Sequence, residues 1–201
     1  MNVFLLSALI AIGAYWVKSR YQRQRILLLG SHLSQFQIEK LMEDLTQGYL
    51  RALGESDPAR QEQIWSLMNT PEAKLCEQFN RFVADFAKLD AVVTRISTLP
   101  WTLPYADQLF PQATFDLRKL LQVHAQGLDN AANNAEQRSP KDRAFVLLAE
   151  LMLMQHSCHW FCRSKTLASA RLVMCHQTTY AQVLDAVAPP TRKAYLALAG
   201  D

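Results

Sequence analysis

The chain has 201 residues, half of them hydrophobic and 19% charged, with a formal net charge of +3. That length predicts one domain with room for an appendage, and so apolar a chain is not disordered. Its six glycines fall well below the usual share of about 7%, which argues against a turn-rich β-sandwich and against glycine-rich phosphate loops.

The N-terminal segment comes first. Val3 to Val17 reads VFLLSALIAIGAYWV, without a charge. With Met1 and Asn2 it gives 17 uncharged residues, a helix of about 25 Å at the short end of what crosses a bilayer core of about 30 Å. Tyr15 and Trp16 close the run, where amphipathic rings prefer the headgroup level. Lys18, Arg20, Arg23 and Arg25 follow, placed to reach lipid phosphates. A cleaved signal peptide would carry its basic residues before the run and a small-residue site after it, and Trp16-Val17-Lys18 offers neither. A core or in-plane helix would show a polar face. The segment therefore predicts a retained single-pass anchor over 1–29, with Gly30 as the helix stop. The positive-inside rule puts the following chain, 31–201, in the cytoplasm. A composition rich in Ala, Leu, Gln and Arg suits a bacterial inner membrane.

The basic cluster also explains the net charge. No acid precedes Glu39, and without those four cations 17 basic residues face 18 acidic ones. Nucleic-acid binders carry a basic face or stripe, so no nucleic-acid partner is expected.

Helix signals dominate the body. Ser34 with Gln37 reads as a capping box before Ile38, Leu41, Leu45 and Tyr49, and Gly54 as that helix's end. Asp57-Pro58, Thr70-Pro71 and Ser139-Pro140 each pair an N-cap residue with Pro at the first helical position. After Thr70, the sequence Leu75, Phe79, Phe82, Phe86, Leu89, Val93, Ile96 alternates spacings of four and three, a single apolar helix stripe. Leu99 to Pro111 is read as a non-helical linker because of Pro100, Pro104 and Pro111. Trp101, Tyr105, Leu109 and Phe110 make it apolar, either folded over the bundle or available to a partner. A helix over Thr114–Asn130 buries Leu117, Leu120, Leu121 and Leu128, with His124 on its stripe as a hydrogen-bonded core histidine. No alternating strand pattern is evident.

From Ser139 to Val187 there is no Gly, and no Pro after Pro140. Leu147, Leu151, Met154, Cys158, Phe161, Lys165, Ala168, Leu172 and Cys175 again alternate four and three. One helix of that length would reach roughly 70 Å, so either one long helix or a break near Arg163–Thr166 is expected. A short helix follows Pro189-Pro190. The fold class is all-α: one transmembrane helix, then an antiparallel helical bundle.

Chemistry-bearing residues cluster in one place. His156, Cys158, His159, Cys162, Cys175 and His176 offer thiolate and imidazole, both zinc ligands. Against a site, Cys175 and His176 are adjacent and diverge on a helix, and structural zinc pairs are spaced by two to four residues. Cys158 and Cys175 also lie on the apolar stripe, where free cysteine packs as a small hydrophobe. Cys76 is read as a structural thiol. No C-x-x-C-H, H-E-x-x-H, Glu-x-x-His, G-x-G-x-x-G, Walker A or G-x-S-x-G motif occurs. Two readings follow. One is a membrane-anchored helical interaction protein without catalysis or cofactor, acting as scaffold, assembly factor or regulator beside other membrane proteins. The other is a helical metal- or haem-binding protein using the His156–His176 cluster, with Cys158, Cys162, Cys175 and His176 as the ligands if the metal is zinc.

Overall fold

A computed structural model describes residues 3–99 and 103–200. The fold is all-α with a candidate membrane helix at its N-terminus. That helix, α1 (Val3–Leu33), is the one helix among the described residues long and apolar enough to cross a membrane. Its described residues up to Arg20 are exposed, and its second half packs on the body, where Gln22 and Leu29 are buried. Gly30 does not stop it: the helix runs on to Leu33. Burial of Leu29 and the packing of Leu33 on the core outweigh the roughly 1 kcal/mol preference of Ala over Gly in a helix.

Arg25 and His32 help to fix this second half. Arg25 donates to the Phe161 carbonyl at 3.0 Å and its guanidinium lies 4.3 Å over the Phe161 ring. His32 Nδ1 sits 2.7 Å from the Asp85 carboxylate, and its ring meets Phe86 edge-on.

The next two helices form a hairpin. α2 (Ile38–Gly54) ends at Gly54 as the sequence predicts. Its start differs from the expected capping box: Gln37 is the N-cap without a side-chain bond, while Ser34 donates back to the Ser31 carbonyl. α3 (Pro58–Phe86) is capped by Asp57, whose carboxylate accepts from Ala59 N–H. Thr70-Pro71 is not a helix start, since Pro71 lies inside α3. Ile64 and Trp65 before it and Leu75, Cys76 and Phe79 after it are all buried. That continuous apolar face outweighs the ~3 kcal/mol an internal proline costs. Behind Pro71, Glu72 accepts from Tyr49 Oη at 2.6 Å and pairs with Arg143 at 3.1 Å, tying α2 and α3 to a later helix. Burial is the largest influence raising both the Glu72 and Tyr49 pKa values.

The phenylalanine stripe holds only to Phe86. Leu89 is half-buried, Val93 is exposed, and Ile96 lies in a strand. β1 (Arg95–Ser97) and β2 (Thr114–Asp116) pair antiparallel, with Ile96 opposite Phe115. Both side chains are buried. The Phe115 ring meets Trp160 edge-on at 5.2 Å, and Trp160 Nε1 donates to the Ser97 carbonyl at 2.9 Å. Between the strands lies α4 (Ala106–Leu109), one turn entered through Tyr105 in the left-handed region at φ 59°, followed by a 3-10 turn over Pro111–Ala113. The expected non-helical linker therefore carries one helical turn between Pro104 and Pro111 and leads into a second at Pro111.

α5 (Leu117–Asn133) begins three residues later than predicted, because Thr114–Asp116 is strand. Asp116 caps it, accepting from Arg118 N–H, and Leu117, Leu120, Leu121 and Leu128 are fully buried. α6 (Pro140–Cys162) starts from its Ser139 cap as predicted. From Ala144 to Phe161 its residues are buried or half-buried apart from Phe145, and it forms the centre of the bundle. The helix breaks at Arg163 and Ser164, within the expected interval, and α7 (Lys165–His176) follows. A second break comes at Gln177, left-handed at φ 51°. Thr179 and Gln182 then form a reciprocal capping box that opens α8 (Tyr180–Ala186). Pro189 and Pro190 open α9 (Pro189–Ala199), whose Tyr195 is fully buried.

Candidate functional site

An open groove of about 1010 Å³ runs beside the second half of α1. α6 is its floor, α1 and α2 one wall, and α7 the other. The floor follows helical spacing: Leu148, Leu151, Gln155, Cys158 and Cys162 line it, three or four residues apart and so on one face. Met42, Met152, Met154 and Met174 also line it, supplying unbranched side chains that adapt to different shapes. Met174 is 83% exposed and Leu167 50%, so α7 offers apolar surface that the bundle leaves uncovered. The edges are charged with opposite signs. Glu39 and Glu43 stand on the α2 side and Arg163 and Arg171 on the α7 side. Glu39 and Glu43 have no ion-pair partner among the described residues.

The cysteine–histidine cluster is divided. Cys158, His159, Cys162, Cys175 and His176 reach the groove. His156 does not: it is buried, bonded through Nε2 to Ser169 Oγ at 3.1 Å and stacked on Tyr180 at 4.6 Å. Cys158 is buried as its place on the stripe predicts, whereas Cys175 is exposed. The stripe fails there because Arg163 and Ser164 break the helix and reset its phase. Burial pushes the Cys158 thiol up to about 12 and the Cys162 thiol up to about 11, with Arg25 and Arg163 drawing the latter back. Burial and then Arg171 lower the His159 pKa. The Cys158 and Cys162 thiols are thus protonated at pH 7. Among the described residues no three His, Cys, Asp or Glu side chains converge closely enough to hold a metal ion.

Of two buried polar centres, sequence reasoning reached the histidine of one and missed the other. His124 is buried and hydrogen-bonded, as predicted, but its partner is Ser157: Nε2 lies 2.8 Å from Ser157 Oγ. Ser157 Oγ also lies 3.0 Å from the Leu153 carbonyl, to which its hydroxyl donates. Burial, with a smaller effect of His156, lowers the His124 pKa to about 3. Both side chains are sealed from solvent. Glu150 is also fully buried. Its Oε1 accepts from Ala188 N–H at 3.1 Å, at the start of α9. Burial raises its pKa to about 7, against the opposing Thr191 and Ala188 hydrogen bonds. Gly127 makes room for it: a Cβ there would fall 2.5 Å from Glu150 Oε2 and 2.7 Å from Thr191 Oγ1. The local signal was a glycine inside an amphipathic helix, which usually marks a close approach.

The expected membrane-interface residues separate as well. Tyr15, Trp16, Lys18, Arg20 and Arg23 are exposed, while Arg25 turns into the body against Phe161 and Tyr21. In the loop after β1, Tyr105 and Phe110 are each 50% exposed and Leu109 61%. Trp101 lies outside the described residues. No protein-family model, curated protein or solved structure matches this chain.

Proposed function

We propose that this chain is a membrane-anchored, non-catalytic helical docking protein, a scaffold, assembly factor or regulator within a membrane complex. α1 is its single anchor in a cell membrane, a bacterial inner membrane by composition. The basic residues after Val17 orient the body to the cytoplasm. The observation that supports the reading is the groove beside α1. Adaptable methionines, neutral thiols and edges of opposite charge suit an amphipathic helix of a neighbouring membrane protein, received apolar face down. Anchoring raises the effective concentration of the body near such neighbours.

The test joins topology to docking. Carbonate-washed membranes should retain the full chain, and a reporter fused after Asp201 should be active only in a form that works in the cytoplasm. A photo-crosslinking residue at Met152 or Met174 should give adducts with a membrane protein, while the same residue at Leu67, exposed on α3, should not. Release by carbonate, reporter activity on the outer side, or equal adducts at all three positions would overturn the proposal.

A further inference from the structure

The loop between β1 and β2 lies at the end of the body nearest the exposed half of α1. Every described residue of α1 up to Arg20 is exposed, and Tyr21 is the first that the body covers. Tyr105 covers it, with ring centroids 5.7 Å apart, and Leu103 and Ala106 line the same small cavity as Tyr21. Tyr21 is four residues past Val17, hence about 6 Å beyond the apolar run along the helix axis. In a bilayer spanned by Val3–Val17, that height falls within the headgroup layer, which adds roughly 5–8 Å on each side of the hydrocarbon core.

The surface displayed there suits that layer. Tyr105, Leu109 and Phe110 are half or more exposed, and Leu99 to Pro111 contains one charged residue, Asp107. Exposed Lys18, Arg20 and Arg23 stand on α1 at the same end. Aromatic rings prefer the interface, and basic side chains are attracted to its phosphates at about 1 kcal/mol each. In water these apolar side chains would form an unexplained patch, whereas at the headgroup–acyl boundary they are solvated.

We infer that Leu103–Phe110 is a second membrane contact, an interfacial foot that rests Tyr105, Leu109 and Phe110 in the bilayer surface beside α1. This rests on α1 being the anchor. Two contacts on one body restrict its tilt, where a helix alone would leave the body free to lean.

Depth-dependent fluorescence quenching tests it on the full chain in vesicles of phosphatidylcholine with phosphatidylglycerol. The exposed and half-exposed thiols are removed as Cys175→Ser and Cys162→Ser, and an environment-sensitive fluorophore is placed singly at Phe110→Cys, Ala8→Cys or Phe145→Cys. Phe145 is exposed near the start of α6, about 24 Å along that helix from Phe161. The expected result is quenching at position 110 by lipids labelled near the headgroup, at least twofold above that at 145, with position 8 quenched by lipids labelled deep in the chain. If position 8 is quenched and position 110 behaves like 145, the foot is overturned while the anchor stands. If position 8 is also unquenched, the anchor itself is overturned. If position 110 is shielded from aqueous iodide yet unquenched by labelled lipid, protein covers the loop and the inference fails. Leu109→Ser with Tyr105→Ser should reduce quenching at 110 without altering it at 8, and no change would refute the contact.

Discussion

Glu150→Gln should become more stable relative to wild type as pH rises. Burial holds the Glu150 carboxyl at about 7, against an ordinary value of 4.5. Between those values the folded chain keeps the proton that the unfolded chain has released, so rising pH favours unfolding. The stability linked to this group is full below pH 4.5, declines through the interval and is lost above about pH 7. At about 1.4 kcal/mol per tenfold change, the interval corresponds to about 3 kcal/mol. Glutamine keeps an oxygen for Ala188 N–H, never ionises, and is similar in volume, so it also fits against Gly127. His124 adds an opposing slope to either protein measured by itself: its pKa falls from 6.5 to about 3, so its contribution is lost as pH falls through that range. The difference between wild type and variant removes that opposing slope. Urea titrations of the full chain in detergent micelles, read by helical circular dichroism at pH 4.5 and pH 8, give both values by linear extrapolation. The variant should gain about 3 kcal/mol on wild type between the two. A difference that stays constant with pH would refute the buried, proton-retaining carboxyl.

Two further outcomes follow from packing. Phe82 is fully buried and meets Phe36, Phe79 and Phe86, so Phe82→Ala should destabilise the body by about 3–5 kcal/mol; a change near zero in the same titration would contradict this core. Maleimide counted by mass spectrometry should modify exposed Cys175 fastest, Cys162 more slowly, and buried Cys76 and Cys158 only after urea is added. Early modification of Cys158 would show that the groove floor opens to solvent.

Where one physical signal governed a segment, the sequence disclosed the structure. Asp57 and Ser139 were legible as caps because a side-chain acceptor followed by proline satisfies both helix-end rules at once. Thr70-Pro71 satisfied the same rules and yet lies mid-helix, because Ile64, Trp65 and Leu75 share one buried face across it. Local chemistry could not reveal that face until its tertiary partners were known. The strands escaped because three residues are too short for alternation to register. Their identity rests on Ile96 and Phe115 meeting across the pair and on Trp160 beneath. The Thr179–Gln182 capping box was a readable signal inside a segment judged only by its apolar period. The cysteine–histidine residues stand near one another in sequence, which says nothing of where each side chain lies. Their division between groove and core depended on the phase reset at Ser164, which no spacing rule contains. Glu150 was invisible because its role needs Gly127, Ala188 and Thr191, brought from two other elements.

α1 is unbroken from Val3 to Leu33, so its free half and its packed half turn as one shaft. Each helical residue advances about 1.5 Å and rotates about 100°. The heading of the groove around that shaft is therefore set by the number of residues between Val17 and Tyr21. One residue added there would swing the whole body by about a quarter turn while leaving every internal contact intact. A flexible tether would absorb such an insertion. Here the short basic stretch acts as an index, and residue count becomes compass bearing.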